Sequence, residues 1–198
     1  GGGGTPLYCA SQGNSVYYEW IDSFTLGGFT NNSGTASSGY SDHTDLIIPV
    51  SNGSAYPISI SPGFSGNAYN EYYRVWIDFN NDMDFNDTGE LVFAAGPTAA
   101  TASGIITIPS NTYQGNTRMR VSIKYGGPPS ACEIFSYGEV EDYTIELGGT
   151  PIVCDPPSGL SVINITETTA TLDWTSVDEA LDYNIRYKVL NSANWITI

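Results

Sequence analysis

Residues 69–79 read YNEYYRVWIDF. In an extended chain successive side chains point to opposite faces, so Val75 and Ile77 share one face while Arg74 and Trp76 share the other. An aliphatic face opposite a polar and aromatic face predicts a half-buried β-strand, with the aliphatic face directed into a core.

Shorter segments of the same kind occur along the first three quarters of the chain, separated by Gly, Pro, Asn, Asp and Ser. They are Ser15–Phe24, Thr44–Val50, Ala55–Ser61, Glu90–Ala94, Gly104–Pro109, Thr117–Tyr125 and Glu139–Leu147. Short strands at this spacing predict an all-β fold, a jelly-roll-like β-sandwich. The stretch between Phe24 and Ser41 is rich in Gly and Asn, which favours a loop with room for one edge strand.

The composition argues against a membrane-spanning helix and against nucleic acid or anionic lipid as a partner. Apolar residues make up 40% of the 198 residues, and no run approaches the roughly 18 consecutive apolar residues of a membrane helix. Six Lys and Arg against 21 Asp and Glu give a net charge of −15, which repels nucleic acid and anionic lipid. The acidic, lysine-poor composition is typical of proteins that are secreted or displayed at the cell surface.

Glycine and proline clusters divide the chain. Residues 1–6 have linker composition, residues 7–148 form the first predicted domain, and residues 149–156 form a second linker. The final segment, residues 157–198, contains four strand-like runs, which are Gly159–Val162, Thr169–Trp174, Asp182–Lys188 and Asn194–Ile198.

That final segment resembles the first half of a fibronectin type III domain. The resemblance is carried by Pro157 and Leu160, by Thr171-Leu172-Asp173-Trp174, and by Tyr183-Asn184-Ile185-Arg186-Tyr187. A complete domain of this kind is a seven-stranded immunoglobulin-like sandwich of about 100 residues. We therefore expect an incomplete sandwich here, which is completed by further chain or, much less favoured, by a strand from another molecule.

The densest acidic cluster follows the strand at residues 69–79. Candidate calcium ligands are the side chains of Asp78, Asn80, Asp82, Asp84 and Glu90. Oxygen ligands at alternate positions of a tight loop can converge on a hard cation such as Ca²⁺. The EF-hand template places glycine where Met83 stands, so the loop is not an EF-hand. The alternative is a solvated turn, in which Asp and Asn are common in any case.

A second acidic cluster lies near the end of the first domain. On a strand, Glu139 and Glu141 share one face and Asp142 lies on the other. Paired carboxylates can act as general acid and base, but pairing with arginines such as Arg118 or Arg120 is the favoured interpretation. Among the many aromatic residues, Tyr72 and Trp76 are the candidate ligand-binding side chains, because they lie on the polar face of their strand.

The motifs of the first domain together resemble the GEVED domain, a family found in large secreted and surface proteins of Bacteroidota. The resemblance spans residues 7–147. The stretches that carry it are Tyr8-Cys9, Tyr18-Glu19-Trp20-Ile21, Ser41-Asp42-His43-Thr44, Tyr69–Glu90, Thr117-Arg118-Met119-Arg120-Val121 and Gly138-Glu139-Val140-Glu141-Asp142-Tyr143. It implies a β-sandwich appended to exported enzymes or adhesins, beside fibronectin type III repeats and a type IX secretion signal. It also implies a disulfide between Cys9 and Cys132, which leaves Cys154 over.

Three functions remain after these observations. Catalysis within these residues is disfavoured, because the chain has one histidine, His43, and lacks a Gly-x-Ser-x-Gly elbow and a phosphate-binding loop. The favoured function is a non-catalytic adhesion or substrate-targeting module that binds an extracellular protein or polysaccharide. The alternatives are a structural spacer or self-assembling filament subunit, and an accessory region of a secreted peptidase or glycoside hydrolase.

Overall fold

The computed structural model of the protein describes residues 8–35, 37–149, 157–176, 185–188 and 196–197. By its contacts the chain divides into two compact units, Gly1–Ile152 and Val153–Ile198. The described residues are all strand, turn and loop, which confirms the all-β prediction. None of them forms a helix that is long and apolar enough to cross a membrane.

The first unit contains ten described strands. In chain order they are β1 (Gln12–Ser15), β2 (Glu19–Leu26), β3 (Phe29–Asn31), β4 (Tyr40–Val50), β5 (Ala55–Phe64), β6 (Glu71–Ile77), β7 (Leu91–Thr98), β8 (Ala102–Thr107), β9 (Gly115–Tyr125) and β10 (Ile134–Leu147). All eight strand segments of the sequence analysis are present, with shifted ends. The Gly- and Asn-rich stretch holds β3, an edge strand that forms a hairpin with β2 across Gly27-Gly28.

These strands form two sheets. One has the order β3-β2-β5-β8, and the other has the order β1-β10-β9-β6-β7 with β4 also paired to β10. Side chains from both sheets build one apolar core between them, so the arrangement is a β-sandwich. On β6, Tyr73, Val75 and Ile77 all belong to this core and are fully buried, as the alternation predicts.

The longest strand, β10, changes its parallel partner along its length. Its first residues, from Ile134 to Tyr137, pair with β1, whereas Val140–Leu147 pair with β4. Gly138 lies between the two pairings with φ 119°, and a Cβ there would lie 2.1 Å from the carbonyl oxygen of Ile123 on β9. A side chain therefore has neither the conformation nor the space it needs at this position.

The second unit has four described strands in two antiparallel pairs. Strand β11 (Ser158–Ile163) pairs with β12 (Thr171–Thr175), and β13 (Arg186–Tyr187) pairs with β14 (Ile196–Thr197). Each coincides with one of the four strand-like runs predicted in this segment. The predicted linker at residues 149–156, apart from Gly149, lies outside the described residues.

Candidate functional site

The motif Gly138–Tyr143 presents carboxylates to both faces of β10. Glu139 and Glu141 point to the same side as Tyr143, toward the interior of the sandwich, and Asp142 points to the outer face. All three carboxylates are buried. The face assignment made from the sequence therefore agrees with the structure.

Glu139 joins the two sheets. Its Oε2 accepts a hydrogen bond of 2.9 Å from the backbone N–H of Ile21 on β2, and its Oε1 accepts one of 2.7 Å from the hydroxyl of Ser41 on β4. Burial is the main cause that raises the pKa of Glu139 to about 7. Both oxygens are engaged with structural groups.

Glu141 belongs to a polar network inside the sandwich. The hydroxyl of Tyr143 donates a 2.6 Å hydrogen bond to Glu141 Oε2, and Asn31 Nδ2 donates to the same hydroxyl at 2.9 Å. His43 Nε2 lies 3.5 Å from Glu141 Oε1, within ion-pair distance but without a hydrogen bond between the two atoms, and the His43 ring stacks on Tyr143. Glu141 raises the pKa of His43 against the opposing effect of burial. The one histidine of the chain is thus held by neighbouring side chains.

Asp142 forms the strongest charge pair on the outer face. Arg120 Nε donates to its Oδ1 and Arg120 Nη2 to its Oδ2, both at 2.8 Å, and Arg118 Nη1 also donates to Oδ2 at 2.9 Å. Arg120 is only 2% exposed and donates further to the carbonyl oxygens of Cys9 and Ala131. A fork of this kind satisfies both a buried guanidinium and a buried carboxylate.

The same outer face carries the disulfide between Cys9 and Cys132, with the Cα atoms 5.4 Å apart. This is the pairing that the family resemblance implies. The bridge fixes the segments before β1 and before β10 next to each other. These segments supply the two carbonyl oxygens that Arg120 binds, so the bridge and the charge pair form one cluster.

The acidic loop uses several of its carboxylates as backbone acceptors. Asp78 is fully buried and accepts hydrogen bonds from the backbone N–H groups of Asn81 and Met83 and from the hydroxyl of Tyr8. Glu90 is 1% exposed and accepts from the backbone N–H groups of Phe79 and Asp87. These two members of the predicted calcium set therefore hold the two ends of the loop together.

The other members of that set lie toward solvent. Asp82 Oδ1 accepts from the backbone N–H of Asp84 at 3.2 Å, and Asn80 Nδ2 donates to Asp82 Oδ2 at 3.0 Å. Met83 has φ 76°, so a residue other than glycine adopts the left-handed conformation at this point of the loop. Within the described ranges, no three Asp, Glu, His or Cys side chains are grouped as they would be around a metal ion.

The two candidate ligand-binding aromatics of β6 do not form an open surface. Trp76 is 5% exposed and packs with Phe85 and Ala131 in a second apolar cluster on the outer face, with Tyr8 against it. Tyr72 is half-buried. A buried indole cannot stack on a ligand, so the Trp76 ring serves packing here.

A cluster of exposed tyrosines lies at one end of the sandwich. We call it the tyrosine pocket; it is a cavity of about 210 Å³ lined by Tyr18, Glu19, Tyr69, Tyr125 and Tyr137. The rings contact each other edge-on, with centroid distances of 5.5 Å for Tyr18 and Tyr137 and 5.7 Å for Tyr69 and Tyr125. Both sheets contribute, because Tyr18 precedes β2 whereas the other three belong to or adjoin β6, β9 and β10.

One residue that lines this pocket, Glu19, is a buried carboxylate, and Glu71, which is not among the lining residues, interacts with it electrostatically. Glu19 is 1% exposed and Glu71 is fully buried. Glu19 Oε1 and both Oε atoms of Glu71 have no hydrogen-bond partner within the described part of the chain. Burial raises the pKa of Glu71 to about 7, with a further contribution from the charge of Glu19, and burial raises the pKa of Glu19 to about 6.

A larger groove of about 560 Å³ lies over the outer face of β10 and β9. Tyr8, Tyr40, Asp42 and Arg118 are among its lining residues. Its charged groups already bind one another, since Arg118 and the hydroxyl of Tyr40 both contact Asp142. The tyrosine pocket differs in that Oε1 of its lining carboxylate, Glu19, is without such a partner in the described structure.

Comparison with known families identifies part of the first unit. Residues 72–146 match the GEVED domain. The match covers β6 to β10, including the acidic loop, Arg120 and the motif at Gly138–Tyr143, so this part of the sequence-based prediction is confirmed. A search of curated proteins finds no match to the chain.

The matched region supplies only part of the tyrosine pocket, since Tyr18, Glu19 and Tyr69 lie before residue 72. Glu19 and Glu71 lie within two stretches that carry the family resemblance, Tyr18–Ile21 and Tyr69–Glu90, but neither was predicted from the sequence as a site residue. A signal for Glu71 was available, because it shares the face of β6 with Tyr73 and Val75 and must therefore point inward. No comparable local pattern marks Glu19.

Proposed function

We propose that the first unit is a non-catalytic binding module of a secreted or surface-displayed protein, serving adhesion or substrate targeting on an extracellular protein or polysaccharide. The observation that carries this proposal is the tyrosine pocket. Tyrosines supply large and rigid contact area, and four exposed rings around one cavity are an arrangement suited to recognition.

The acidic motif of β10 supports a non-catalytic assignment. A general acid or base must reach a substrate, but Glu139 and Asp142 are buried and bind Ile21, Ser41 and Arg120 within the fold. Their contacts fix the positions of strands. Any chemistry of the parent protein would then belong to another domain, for which this unit would be an accessory region of a peptidase or glycoside hydrolase.

A binding screen tests the proposal. The full chain is applied to immobilised collagen and to a glycan array, together with Tyr125→Ala and the matched control Tyr113→Ala, whose exposed ring lies outside the pocket. We expect binding to at least one surface that is lost with Tyr125→Ala and kept with Tyr113→Ala. Absence of binding, or equal binding by both variants, would contradict the proposal.

A structural spacer or filament subunit is the second candidate. The disulfide and the Arg120–Asp142 cluster stiffen the outer face, as a unit that only holds other domains apart would need. Self-association is measured by sedimentation velocity over a concentration series. Concentration-dependent growth of the full chain, combined with no binding in the screen, would favour this candidate.

We also propose that the second unit is part of a fibronectin type III domain. Support comes from the antiparallel pairs β11–β12 and β13–β14, which coincide with the predicted runs. Fusion of the remaining strands of a fibronectin type III domain, about 50 residues, to the end of the chain tests the assignment. A fibronectin type III domain would gain a separate cooperative unfolding transition, whereas a chain that gains none would contradict it.

Calcium binding by the acidic loop is a further proposal, supported by the alternating carboxylates of Asp82 and Asp84 beside the buried Asp78. A ligand that binds the native state raises its melting temperature. We expect EDTA to lower the melting temperature of the full chain, and Asp82→Asn to abolish this response while Asp45→Asn keeps it. A melting temperature insensitive to EDTA would contradict calcium binding.

A further inference from the structure

The tyrosine pocket has an unusual combination of walls and base. Its walls are the rings of Tyr18, Tyr69, Tyr125 and Tyr137, each more than a third exposed. At its base lies a carboxylate, Glu19, that is 1% exposed. Aromatic faces carry the negative part of the ring quadrupole, so walls and base all favour a positive charge.

Within the part of the chain that the structure describes, no hydrogen-bond donor is recorded for Glu19 Oε1. No lysine or arginine is among the residues that line the pocket. Behind Glu19, the carboxylate of Glu71 is close enough to interact electrostatically with it. Leaving buried carboxylate oxygens without a donor is costly, and this cost is recovered when a ligand supplies the donor and the charge.

The unpartnered oxygen restricts the kind of cation. Glu19 Oε1 lacks a donor among the described groups, so an organic cation that satisfies it must carry N–H bonds. An ammonium or guanidinium group has them, whereas a quaternary ammonium group has none. An N–H donor also gains a charge-assisted hydrogen bond, which is stronger than a contact with the rings alone.

The size of the pocket restricts the ligand further. A volume of about 210 Å³ lies below the roughly 300–1,000 Å³ of sites for drug-sized molecules, so it takes one side chain. Lysine and arginine have an apolar stem and a cationic tip. The stem would lie along the tyrosine rings while the tip reaches Glu19.

We propose that the tyrosine pocket binds a lysine or arginine side chain of a partner polypeptide, with its N–H groups donating to Glu19 and its methylene stem packed between Tyr18, Tyr69, Tyr125 and Tyr137. This inference rests on the proposed binding function and names the chemistry of the partner. It also makes Glu19 the residue that sets specificity.

The test uses small cations on the full chain at pH 8. The probes are n-butylammonium and n-butylguanidinium chloride, with tetramethylammonium chloride and butan-1-ol as controls. The readout is the set of ring signals of ¹³C-labelled tyrosines in ¹H–¹³C NMR spectra, followed to saturation. Glu19→Gln and Tyr125→Ala are compared with Tyr113→Ala, and each variant's melting curve establishes that it is folded.

We expect n-butylammonium or n-butylguanidinium to shift the pocket tyrosine signals saturably, and tetramethylammonium to bind at least about tenfold more weakly. Butan-1-ol should leave the signals unchanged. Glu19→Gln should weaken binding at least about tenfold, since a neutral amide forms a weaker contact with a cation. Tyr113→Ala should bind like the unmodified chain.

Two results would overturn the inference. One is equal binding of tetramethylammonium, which would show that N–H donation to Glu19 plays no part. The other is the absence of any saturable shift in a folded protein. The NMR titration can be negative while the collagen or glycan screen shows binding that Tyr125→Ala abolishes. In that case the binding function stands, and only the proposal of a basic ligand is wrong. If both assays are negative, the binding function fails as well.

Discussion

Asp142 and Glu19 are both buried carboxylates of the same sandwich, but their surroundings are opposite. Asp142 receives two hydrogen bonds from Arg120, one from Arg118 and one from Tyr40. Glu19 Oε1 receives none from the described residues. Satisfied buried charges hold a fold together, whereas unsatisfied ones at the base of a cavity reduce stability and remain available to a ligand. The outer face therefore serves architecture, and the pocket end is suited to recognition.

Removal of the disulfide should give the largest loss on the architectural side. The bridged cysteines are 123 residues apart, and a cross-link closing so long a loop contributes about 4–5 kcal/mol in the chain-entropy model. We expect the double variant Cys9→Ala/Cys132→Ala to lose this amount in urea unfolding. The unmodified chain in reductant is the control and should unfold at the same midpoint. A loss below about 1 kcal/mol would contradict the role of the bridge.

Removal of Arg120 from its ion pair with Asp142 should destabilise the fold slightly less than removal of the disulfide. Arg120→Met leaves Asp142 buried without its main partner, and removal of one member of a buried pair costs about 3–5 kcal/mol. Arg118→Met is the matched control; this arginine is a quarter exposed, so we expect a loss of about 1 kcal/mol or less. Equal losses of unfolding free energy for both variants in urea would contradict the conclusion that Arg120 is the main partner of Asp142.

The next largest loss of stability is expected from a substitution at Gly138, where β10 changes its parallel partner from β1 to β4. Gly138→Ala introduces a Cβ that meets the carbonyl oxygen of Ile123 at 2.1 Å, at a φ that L-residues rarely adopt. We expect a loss of about 3 kcal/mol from strain and overpacking. Gly66→Ala, where a Cβ meets nothing within 4 Å, should change the free energy of unfolding by less than about 0.5 kcal/mol. A Gly138→Ala variant with unchanged free energy of unfolding would show that β9 and β10 can shift to make room for the added methyl group.

Near the tyrosine pocket, by contrast, we expect a substitution of Glu71 to increase the stability of the fold. Because burial raises the pKa of Glu71 from 4.5 to about 7 in the folded protein, the folded state favours the protonated carboxyl. The stabilising contribution of this proton is complete below about pH 4.5 and is lost as the pH rises through 7. Glu71→Gln removes that dependence. We expect the variant to match the unmodified chain at pH 4 and to exceed it by about 2 kcal/mol at pH 8.

Urea unfolding of Glu71→Gln and Glu19→Gln across this pH range measures the effect. Glu19→Gln should behave in the same direction with a smaller gain, since the pKa of Glu19 is raised only to about 6. A loss of stability at pH 8 in both variants would contradict the view that these carboxylates are unsatisfied.

The contrast between the two regions also shows what the sequence could reveal. The alternation in β6 and β9 and the face assignment of Glu139 and Asp142 follow from local spacing, so strands and motif were predictable. The pairing of Asp142 with Arg118 and Arg120 was among the expected structural pairings. Burial of Trp76 was missed, because the acidic loop and the segment around Ala131 cover a face that looks exposed from its strand alone.

The tyrosine pocket could not be predicted from the sequence, for a physical reason. Its residues lie near positions 18, 69, 125 and 137 and meet only through the pairing of distant strands. Parallel pairing of β10 with both β1 and β4 leaves no local sequence pattern. The edge strand β3 is different, since the sequence predicted a loop with room for one edge strand there, and the two glycines of its hairpin with β2 are a local turn signal.

The most direct test is the titration of Glu19 in the pocket and of Glu71, which interacts with it electrostatically. In ¹³C NMR of the full chain with labelled glutamate carboxyl carbons, the account predicts a pKa of about 6 for Glu19 and about 7 for Glu71. Addition of n-butylammonium should lower the pKa of Glu19, because a bound cation favours the ionised form. Titration of both groups near the ordinary value of about 4.5, unchanged by the cation, would contradict the claim that this end of the sandwich holds unsatisfied carboxylates for a basic ligand.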